Sequence, residues 1–194
     1  FASDKGFETT VNCQQIWGGH GYITENGMDQ FVRDARLAMI YEGANGVQAM
    51  DLVGRKLPAN DGRAFAILNA RITAKIADCA ADPALADIAA ALGQAQADLL
   101  EAARWLKANP EDQGAGATAF LHLTGTVVMG YIWLRMAQAA TQASGQSGFG
   151  ADFLSTKVET ARFYAQRMLS DTATLRAKVA AGSQSWMAIP IDQI

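Results

Sequence analysis

Apolar residues recur at spacings of three and four along most of the chain, which is the pattern of amphipathic helices. One such apolar face lies between about Arg63 and Ala80. It consists of Phe65, Leu68, Ile72, Ile76 and Cys79. Strands would need alternating runs rich in Val, Ile and Thr between turns, and the sequence has none of convincing length. The pattern therefore predicts an all-α protein.

Three more helices are predicted after residue 80. The second begins with Asp82 as N-cap and Pro83 at the first helical position, and Asn109-Pro110 ends it. The third covers about Gln113 to Ala143. A Ser-Gly-Gln-Ser-Gly-Phe-Gly loop follows, and the fourth helix runs from about Leu154 to Val179. Four amphipathic helices joined by short loops predict an up-and-down four-helix bundle.

The third helix is apolar enough to raise the question of a membrane. It has no charged residue from Gln113 to Leu134, a length that could span a bilayer. Polar side chains such as His122 and Thr126 are costly in lipid, so a buried helix of the bundle is favoured over a membrane span. We interpret His122 as a hydrogen-bonded core histidine, because no second ligand follows it at i+4. The apolar stretch Trp186 to Ile191 is expected to pack back on the bundle without forming a helix.

Composition and charge narrow the classes of function. The chain has 194 residues, half of them hydrophobic, and a net charge of −3 without a basic run, which argues against nucleic-acid binding. Cys13 and Cys79 are the only cysteines, and with His20 and His122 they do not predict a metal site. We expect reduced thiols in an intracellular compartment. Because the chain begins at Phe1 without an initiator Met, we expect a fragment of a longer protein.

The candidate chemistry lies before residue 58. The turn Gly18-Gly19-His20-Gly21 follows a helix that ends near Trp17, and its exposed N–H groups would let a large anion approach. A plain structural turn is the alternative. A helical stretch from Met28 is predicted to continue to Ile40 and to end at Gly43. Apolar neighbours at that helix end would desolvate Glu42 into a stronger base, although a solvated or capping glutamate is the alternative.

The order and spacing of these elements closely resemble the acyl-CoA dehydrogenase signature in its C-terminal helical domain. The matching residues are Gln15-x-x-Gly18-Gly19-x-Gly21-Tyr22, Arg33-Asp34-Ala35-Arg36, Ile40-Tyr41-Glu42-Gly43 and Gln48. The continuation from Asn45 to Leu57 looks like a long branch of the family, which carries an extra helical domain. The resemblance predicts the end of the family's helical domain over 1–57, a linker over 58–62 and an appended helical bundle over 63–194.

The resemblance implies a reaction. Family members hold FAD and oxidise an acyl-CoA to the trans-2-enoyl-CoA by removing an α-proton and passing the β-hydrogen to the flavin as hydride. The usual base is the Glu of the Tyr-Glu-Gly motif, which corresponds to Glu42. Gly43 corresponds to the residue whose N–H lies near the thioester carbonyl, and so implies substrate binding. A raised pKa, obtained by excluding water, would suit the base to its weakly acidic substrate.

The resemblance also implies how the cofactor is held. The segment that contacts the ADP portion of FAD, usually the flavin of a neighbouring subunit, corresponds to Gln15, Ile16, Trp17, Gly18 and Gly19. A shared site of that kind implies a homodimer or homotetramer. Ala44, Asn45 and Gly46 follow the base, where relatives touch the flavin. Ala44 stands where a Thr hydroxyl is usual and Gly46 where many relatives are polar, so backbone atoms or Asn45 would have to substitute.

Three functions follow as hypotheses. The first is a dehydrogenase that passes electrons to an electron-transfer flavoprotein, in the bacterial cytoplasm or the mitochondrial matrix. The second is a related oxidase that passes them to oxygen, and the third is a non-catalytic helical interaction or oligomerisation module. Without the upstream domains of the family, the isolated chain is expected to be inactive and to bind FAD poorly. The acyl group is left open among fatty, aromatic and methylthiopropanoyl types.

Overall fold

The computed structural model of the protein describes residues 1–143 and 148–193. It is 84% helical, and no strand occurs in these two ranges. The predicted all-α class is therefore confirmed. The α-helices of the described residues are α1 (Ala2–Trp17), α2 (Met28–Leu37), α3 (Asn45–Asp51), α4 (Ala59–Cys79), α5 (Ala86–Ala108), α6 (Gln113–Gln142), α7 (Ala151–Arg167), α8 (Thr172–Ala180) and α9 (Gln184–Met187).

Helices α5 and α6 form the centre of the bundle. Helix α5 packs on α4, α6, α7 and α8, and α6 packs on α7 and α8 as well as on α3. The largest side chains that this packing buries fully are Phe120, Ile72, Leu85, Ile88, Leu92, Leu99, Leu106, Leu123, Leu134, Val53, Val127 and Val179. Burying each of them contributes about 1.5–3 kcal/mol relative to leaving it exposed, which makes apolar packing the dominant stabilising term.

The start of α5 shows how far its N-cap could be predicted. Asp82 Oδ1 accepts a hydrogen bond from the Ala84 N–H at 2.9 Å, as an N-cap side chain does. The Asp82 carbonyl accepts bonds from the N–H groups of Leu85 and Ala86, at 2.9 and 2.8 Å. Asp82 therefore caps the turn that leads into α5, but the N-cap of the helix itself is Leu85 and the helix begins at Ala86, three residues later than predicted.

The predicted fourth helix is divided into α7 and α8. A 3₁₀ turn over Leu169–Asp171 separates them. The Thr172 hydroxyl lies 2.8 Å from the Leu169 carbonyl and 2.8 Å from Asp98 Oδ2 on α5. A side-chain hydroxyl bonded in this way competes with regular helical hydrogen bonding, which accounts for the break. The predicted loop before α7 includes 144–147, which lie outside the described residues.

Residues 58–62 do not form an extended linker. Asn60, Asp61 and Gly62 have φ values of 49°, 55° and 77°, all in the left-handed region. A right-handed helix cannot continue through such residues, so the regular part of α4 follows Gly62. The division of the chain into two domains at this point stays a prediction.

The apolar C-terminal stretch departs from the prediction. Asp112 Oδ1 accepts hydrogen bonds from the Ser183 N–H at 2.8 Å and from its hydroxyl at 2.5 Å. Beyond this anchor Trp186 is 51% exposed and Ile191 88% exposed, so the prediction that the stretch packs on the bundle is wrong. It also contains the short helix α9. Its apolar residues find no buried position in this chain.

Helix α6 has the dimensions of a membrane span. Among the described residues, Pro110–Gln142 alone is long and apolar enough, with a mean hydropathy of 1.4 over its most apolar window, of which 39% is buried. A core helix of a soluble bundle has the same length and composition, so these two properties are weak evidence for a span. The contacts of α6 with five other helices, α3, α4, α5, α7 and α8, favour the core helix.

Candidate functional site

Glu42 lies on a turn that joins α2 to α3. The predicted helix to Ile40 is too long, since α2 ends at Leu37 and a turn covers 38–44. Glu42 and Gly43 have φ values of 52° and 83°. A non-glycine residue in the left-handed region is uncommon and costs free energy, so it persists only where neighbouring contacts hold it.

Two of the hydrogen bonds in this turn hold the part that carries Glu42. Gln48 Nε2 donates to the Glu42 carbonyl at 3.3 Å. The Asn45 N–H donates to the Met39 carbonyl at 3.2 Å and closes the turn across its base. A Cβ on Gly43 would lie 3.4 Å from Gln48 Nε2 and would also need a positive φ, so glycine suits this position.

The apolar enclosure expected around Glu42 is not supplied by this chain. Glu42 is exposed, and its neighbours Ile40 and Tyr41 are 53% and 54% exposed. The prediction rested on a helix end packed against apolar groups, whereas the left-handed turn presents these side chains to the surface. Groups outside the chain would have to exclude water from the carboxylate.

Asn45 is engaged by the protein itself. Its Nδ2 donates to Asp4 Oδ1 at 2.6 Å, and its Oδ1 accepts from the Ser3 hydroxyl at 3.0 Å. Both functional atoms of the amide therefore have partners on α1. Of the three residues expected beside a flavin, Ala44 and Gly46 offer only backbone atoms, and the Asn45 side chain is already bonded.

Asp4 extends this contact to the bundle. Its Oδ2 lies 3.2 Å from Nε2 of His122 on α6. Burial lowers the pKa of His122, so the neutral imidazole predominates at pH 7 and its Nε2–H donates to the carboxylate. The hydrogen bond predicted for His122 is confirmed, but its side chain is 24% exposed, so it lies at the edge of the core and not within it. Sequence reasoning missed Ser3 and Asp4, because neither belongs to a recognisable motif.

The second predicted group lies at the other end of α1. Gln15 and Gly19 are exposed, Ile16 is 85% and Trp17 52% exposed, and Gly18 has a φ of 60°. A Cβ added at Gly18 or Gly19 would meet no atom within 4 Å. The backbone of this turn is thus open to a large group from outside.

Gly21 differs from the other glycines of the turn. It is buried, and a Cβ there would lie 2.7 Å from Trp17 Cβ and 2.8 Å from the Gln14 carbonyl oxygen. The Gly21 carbonyl accepts a hydrogen bond from Gln14 Nε2 at 3.0 Å. Gly21 is therefore required by close packing, whereas Gly18 and Gly19 leave open surface. The structural interpretation of the turn therefore holds for Gly21, and the approach of an anion at Gly18 and Gly19 stays a prediction.

The structure does not bring the two predicted groups together. Asn45 contacts Ser3 and Asp4 in the first turn of α1, whereas Gln15 to Gly19 lie at its last turn and beyond. At 1.5 Å per residue, the two ends are about 17 Å apart. The described residues also contain no group of three or more His, Cys, Asp or Glu side chains that could hold a metal ion.

Two family models match the chain. Residues 1–57 match the model described as acyl-CoA dehydrogenase, C-terminal domain. Residues 70–190 match the model described as acetyl-CoA dehydrogenase C-terminal like. Together the two matches contain the Glu42 turn and most of the bundle.

Similar proteins extend over nearly the whole chain. The 3-methylmercaptopropionyl-CoA dehydrogenase of Ruegeria pomeroyi is 34% identical over 92% of the chain and 31% of its own length. A butyryl-CoA dehydrogenase of Syntrophomonas wolfei is 30% identical over 91% of the chain and 30% of its own length. A broad-specificity linear acyl-CoA dehydrogenase of Mycobacterium tuberculosis is 28% identical over 86% of the chain and 29% of its own length. The chain thus spans about three tenths of the length of these relatives.

Proposed function

The chain belongs to the acyl-CoA dehydrogenase family, and from this premise we propose that it is the carboxyl-terminal part of an FAD-dependent acyl-CoA dehydrogenase. In this proposal Glu42 removes the α-proton of an acyl-CoA, and the product is the trans-2-enoyl-CoA. The observation that carries the proposal is the exposed left-handed turn on which Gln48 holds Glu42. An isolated fragment of this kind would be inactive.

The proposed base has a clear physical requirement. An α-proton is weakly acidic, so Glu42 must lie within hydrogen-bond reach of it and must have a raised pKa. Removing water from a carboxylate raises its pKa. The exposed side chains of Ile40 and Tyr41 offer apolar surface to which the substrate and the rest of the protein would add. Gly43 would donate its N–H to the thioester carbonyl.

The residues of this chain suit a flavin cofactor. A Cβ at Gly18, Gly19 or Gly46 would meet no atom within 4 Å, which leaves their backbone open to a large flat group. Bound FAD would accept the β-hydrogen of the substrate as hydride. The segment from Gln15 to Gly19 would hold the ADP portion of FAD from a neighbouring subunit, in a homodimer or homotetramer. Ala44 and Gly46 would contact the flavin through their backbone.

The names of the similar proteins suggest the first substrates to try. They act on 3-methylmercaptopropionyl-CoA, butyryl-CoA and linear acyl-CoAs. We propose thioesters of these types as substrates and an electron-transfer flavoprotein as acceptor. The bacterial cytoplasm or the mitochondrial matrix would be the compartment.

The decisive experiment replaces Glu42 in the full-length protein that carries this chain. Bleaching of the flavin absorbance by butyryl-CoA, octanoyl-CoA and methylthiopropanoyl-CoA is followed in the absence of an acceptor. Loss of a general base typically costs about 10²–10⁴-fold in rate, so Glu42→Gln should slow bleaching by that factor while the protein stays yellow. Glu25→Gln is the matched control, because Glu25 is also exposed and lies on the loop before α2.

Each outcome separates the hypotheses. Normal bleaching by Glu42→Gln would remove Glu42 from the reaction. Hydrogen peroxide formed in step with the enoyl product would make the protein an oxidase. A yellow wild-type protein that no acyl-CoA bleaches would favour the non-catalytic module.

A further inference from the structure

We infer that Asp4 is a positioning residue that couples the turn carrying Glu42 to helix α6 of the bundle. One carboxylate makes both contacts. Asp4 Oδ1 accepts from Asn45 Nδ2 at 2.6 Å, and Asp4 Oδ2 lies 3.2 Å from His122 Nε2. Asn45 is the first residue of α3 and follows Glu42 by three positions, whereas His122 lies within α6. The catalytic consequence of this coupling rests on the proposed function of Glu42.

Asn45 is the point at which this coupling reaches the turn. Its side-chain amide is fixed from two directions, by Asp4 and by the Ser3 hydroxyl at 3.0 Å. Its backbone N–H is bonded to the Met39 carbonyl at 3.2 Å, on the far side of the turn. A movement of the Asn45 amide would therefore shift the closing hydrogen bond of the turn and, with it, the backbone of Glu42.

The coupling lies in a partly shielded position. The side chains of Asp4 and His122 are 21% and 24% exposed. Hydrogen bonds to a charged acceptor are stronger than neutral ones, and shielding from water preserves more of their strength than at the open surface. The carboxylate thus holds two elements that are distant in the sequence.

In this inference Asp4 acts on the turn through Asn45, so its effect would pass through Glu42. Proton transfer depends steeply on the placement of the base, and a displacement of about 1 Å can cost about 10²-fold in rate. Substrate affinity depends far less on that placement. Loss of the coupling should therefore lower the rate of flavin reduction and leave KM nearly unchanged.

The test uses five variants of the full-length protein. Asp4→Leu removes the acceptor and keeps the number and branching of side-chain heavy atoms. Asp4→Asn keeps an oxygen that can accept from Asn45 and gains an amide N–H that can donate to Nε2 of His122 in its other neutral tautomer. Glu8→Leu is the matched control on the same helix, because among the described residues the Glu8 carboxylate bonds only to Lys5, at 2.7 Å. On the α6 side of the Asp4–His122 contact, His122→Gln keeps an N–H donor and His122→Ala removes it. If Asp4→Leu fails to fold, the two His122 variants test the coupling between the turn and α6.

Two measurements are made on each variant. Stopped-flow flavin reduction by butyryl-CoA should be slowed about 10- to 100-fold in Asp4→Leu, with KM changed less than about threefold. Asp4→Asn should recover most of the rate, and Glu8→Leu should match the wild type. Hydrogen–deuterium exchange of residues 38–44, followed by mass spectrometry, should become at least about fivefold faster in Asp4→Leu and in His122→Ala.

The two measurements keep the inference separate from the proposed function. If wild-type flavin is not reduced by any acyl-CoA, the proposed function fails, and exchange alone decides whether Asp4 couples the turn to the bundle. If Asp4→Leu and His122→Ala exchange and react like Glu8→Leu, the coupling is overturned. If exchange accelerates while flavin reduction is unchanged, Asp4 holds the turn without positioning the base, which also overturns the inference.

Discussion

Helices α1 and α2 carry large apolar side chains on their surface and bury almost none, whereas α4 to α8 supply most of the buried apolar core. Helix α1 has no buried residue and α2 has only Met28. In the first 50 residues the most exposed large apolar side chains are Ile16 (85%), Tyr22 (81%), Phe31 (64%) and Val47 (60%). The largest fully buried side chains all lie between Val53 and Val179.

The difference indicates how the two parts depend on other surfaces. The bundle supplies its own core, whereas α1 and α2 present apolar surface and an exposed base. We propose that other parts of a longer protein cover this surface, since the similar proteins are about three times as long as the chain. In this proposal the bundle holds α1 and α2 in place. The contact of Asp4 with His122 is one of the contacts between α1 and the bundle.

The two cysteines provide the largest expected contrast between these parts. Cys13 lies on α1 and is exposed, whereas Cys79 ends α4 and is fully buried. Burial also raises the pKa of the Cys79 thiol, which keeps it in the unreactive protonated form. Reaction at Cys79 requires opening of a core whose stability is of order 5–15 kcal/mol in typical domains, so it should be at least about 10³-fold slower.

Alkylation by iodoacetamide at pH 8, followed by peptide mass spectrometry of the 194-residue chain, measures this contrast. In concentrated urea the two cysteines should react at similar rates. Equal rates without urea would show that α4 does not belong to a closed core.

Two phenylalanines give the next largest effect. Phe120 is fully buried on α6, and Phe31 is 64% exposed on α2. Phe120→Ala should lower the free energy of unfolding by about 3–5 kcal/mol, because it removes buried surface and leaves a cavity. Phe31→Ala should change it by no more than about 0.5 kcal/mol. Urea unfolding of the 194-residue chain, followed by circular dichroism, compares them. A large loss from Phe31→Ala would mean that α2 already belongs to the core.

Two glycines within the bundle are expected to differ in how a substitution by alanine changes the free energy of unfolding, by smaller amounts than the two phenylalanines. A Cβ at Gly130 would lie 2.8 Å from Leu169 Cδ2 and 3.3 Å from Leu92 Cδ1, and both leucines are buried. Gly130→Ala should therefore destabilise the chain by about 1–3 kcal/mol. A Cβ at Gly93 on α5 would meet no atom within 4 Å, so Gly93→Ala should stabilise it by about 0.5–1 kcal/mol. The same unfolding assay measures both variants. Changes of the same sign would contradict close packing of α6 on α5 and on the turn before α8.

The bundle could be predicted because the buried apolar residues of a helix recur in the sequence at spacings of three and four. Ile72 and Cys79 were assigned to one face of their helix by spacing alone, and both are fully buried. Asp82 could be recognised as a cap for the turn before α5 because capping depends on neighbouring residues only. These features are local, or they repeat with the helical period.

The site could be predicted only in part. The resemblance indicated Glu42, but a positive φ at a glutamate has no sequence signal, so the end of α2 was placed too late. The contact of Asp4 with His122 joins single polar residues from distant helices, and no pattern links them. Trp186 and Ile191 were expected to pack on the bundle because they are apolar, yet composition does not reveal whether a surface is available to cover them.

The smallest effect that we predict is a dependence of stability on pH, caused by His122 at the contact between α1 and α6. The pKa of His122 is lowered, first by burial and then by the charges of the Phe1 ammonium and Lys5, although Asp4 opposes these effects. Below the ordinary value of 6.5, the unfolded chain therefore takes up a proton before the folded chain does. Stability should fall as the pH drops from about 6.5 toward the lowered pKa, and this contribution should be absent above 6.5.

Other groups also titrate in this range, so the measurement is the difference between the wild type and His122→Gln. Asp171 and Lys178 line the same cavity as His122 and remain in both proteins. The urea midpoint of the wild type should decrease more than that of His122→Gln between pH 7.5 and 5.5, because the glutamine takes up no proton. Parallel decreases would mean that His122 titrates alike in the folded and unfolded chains. A steeper decrease in His122→Gln would mean that Asp4 outweighs burial, and that protonation of His122 strengthens the contact between α1 and the bundle.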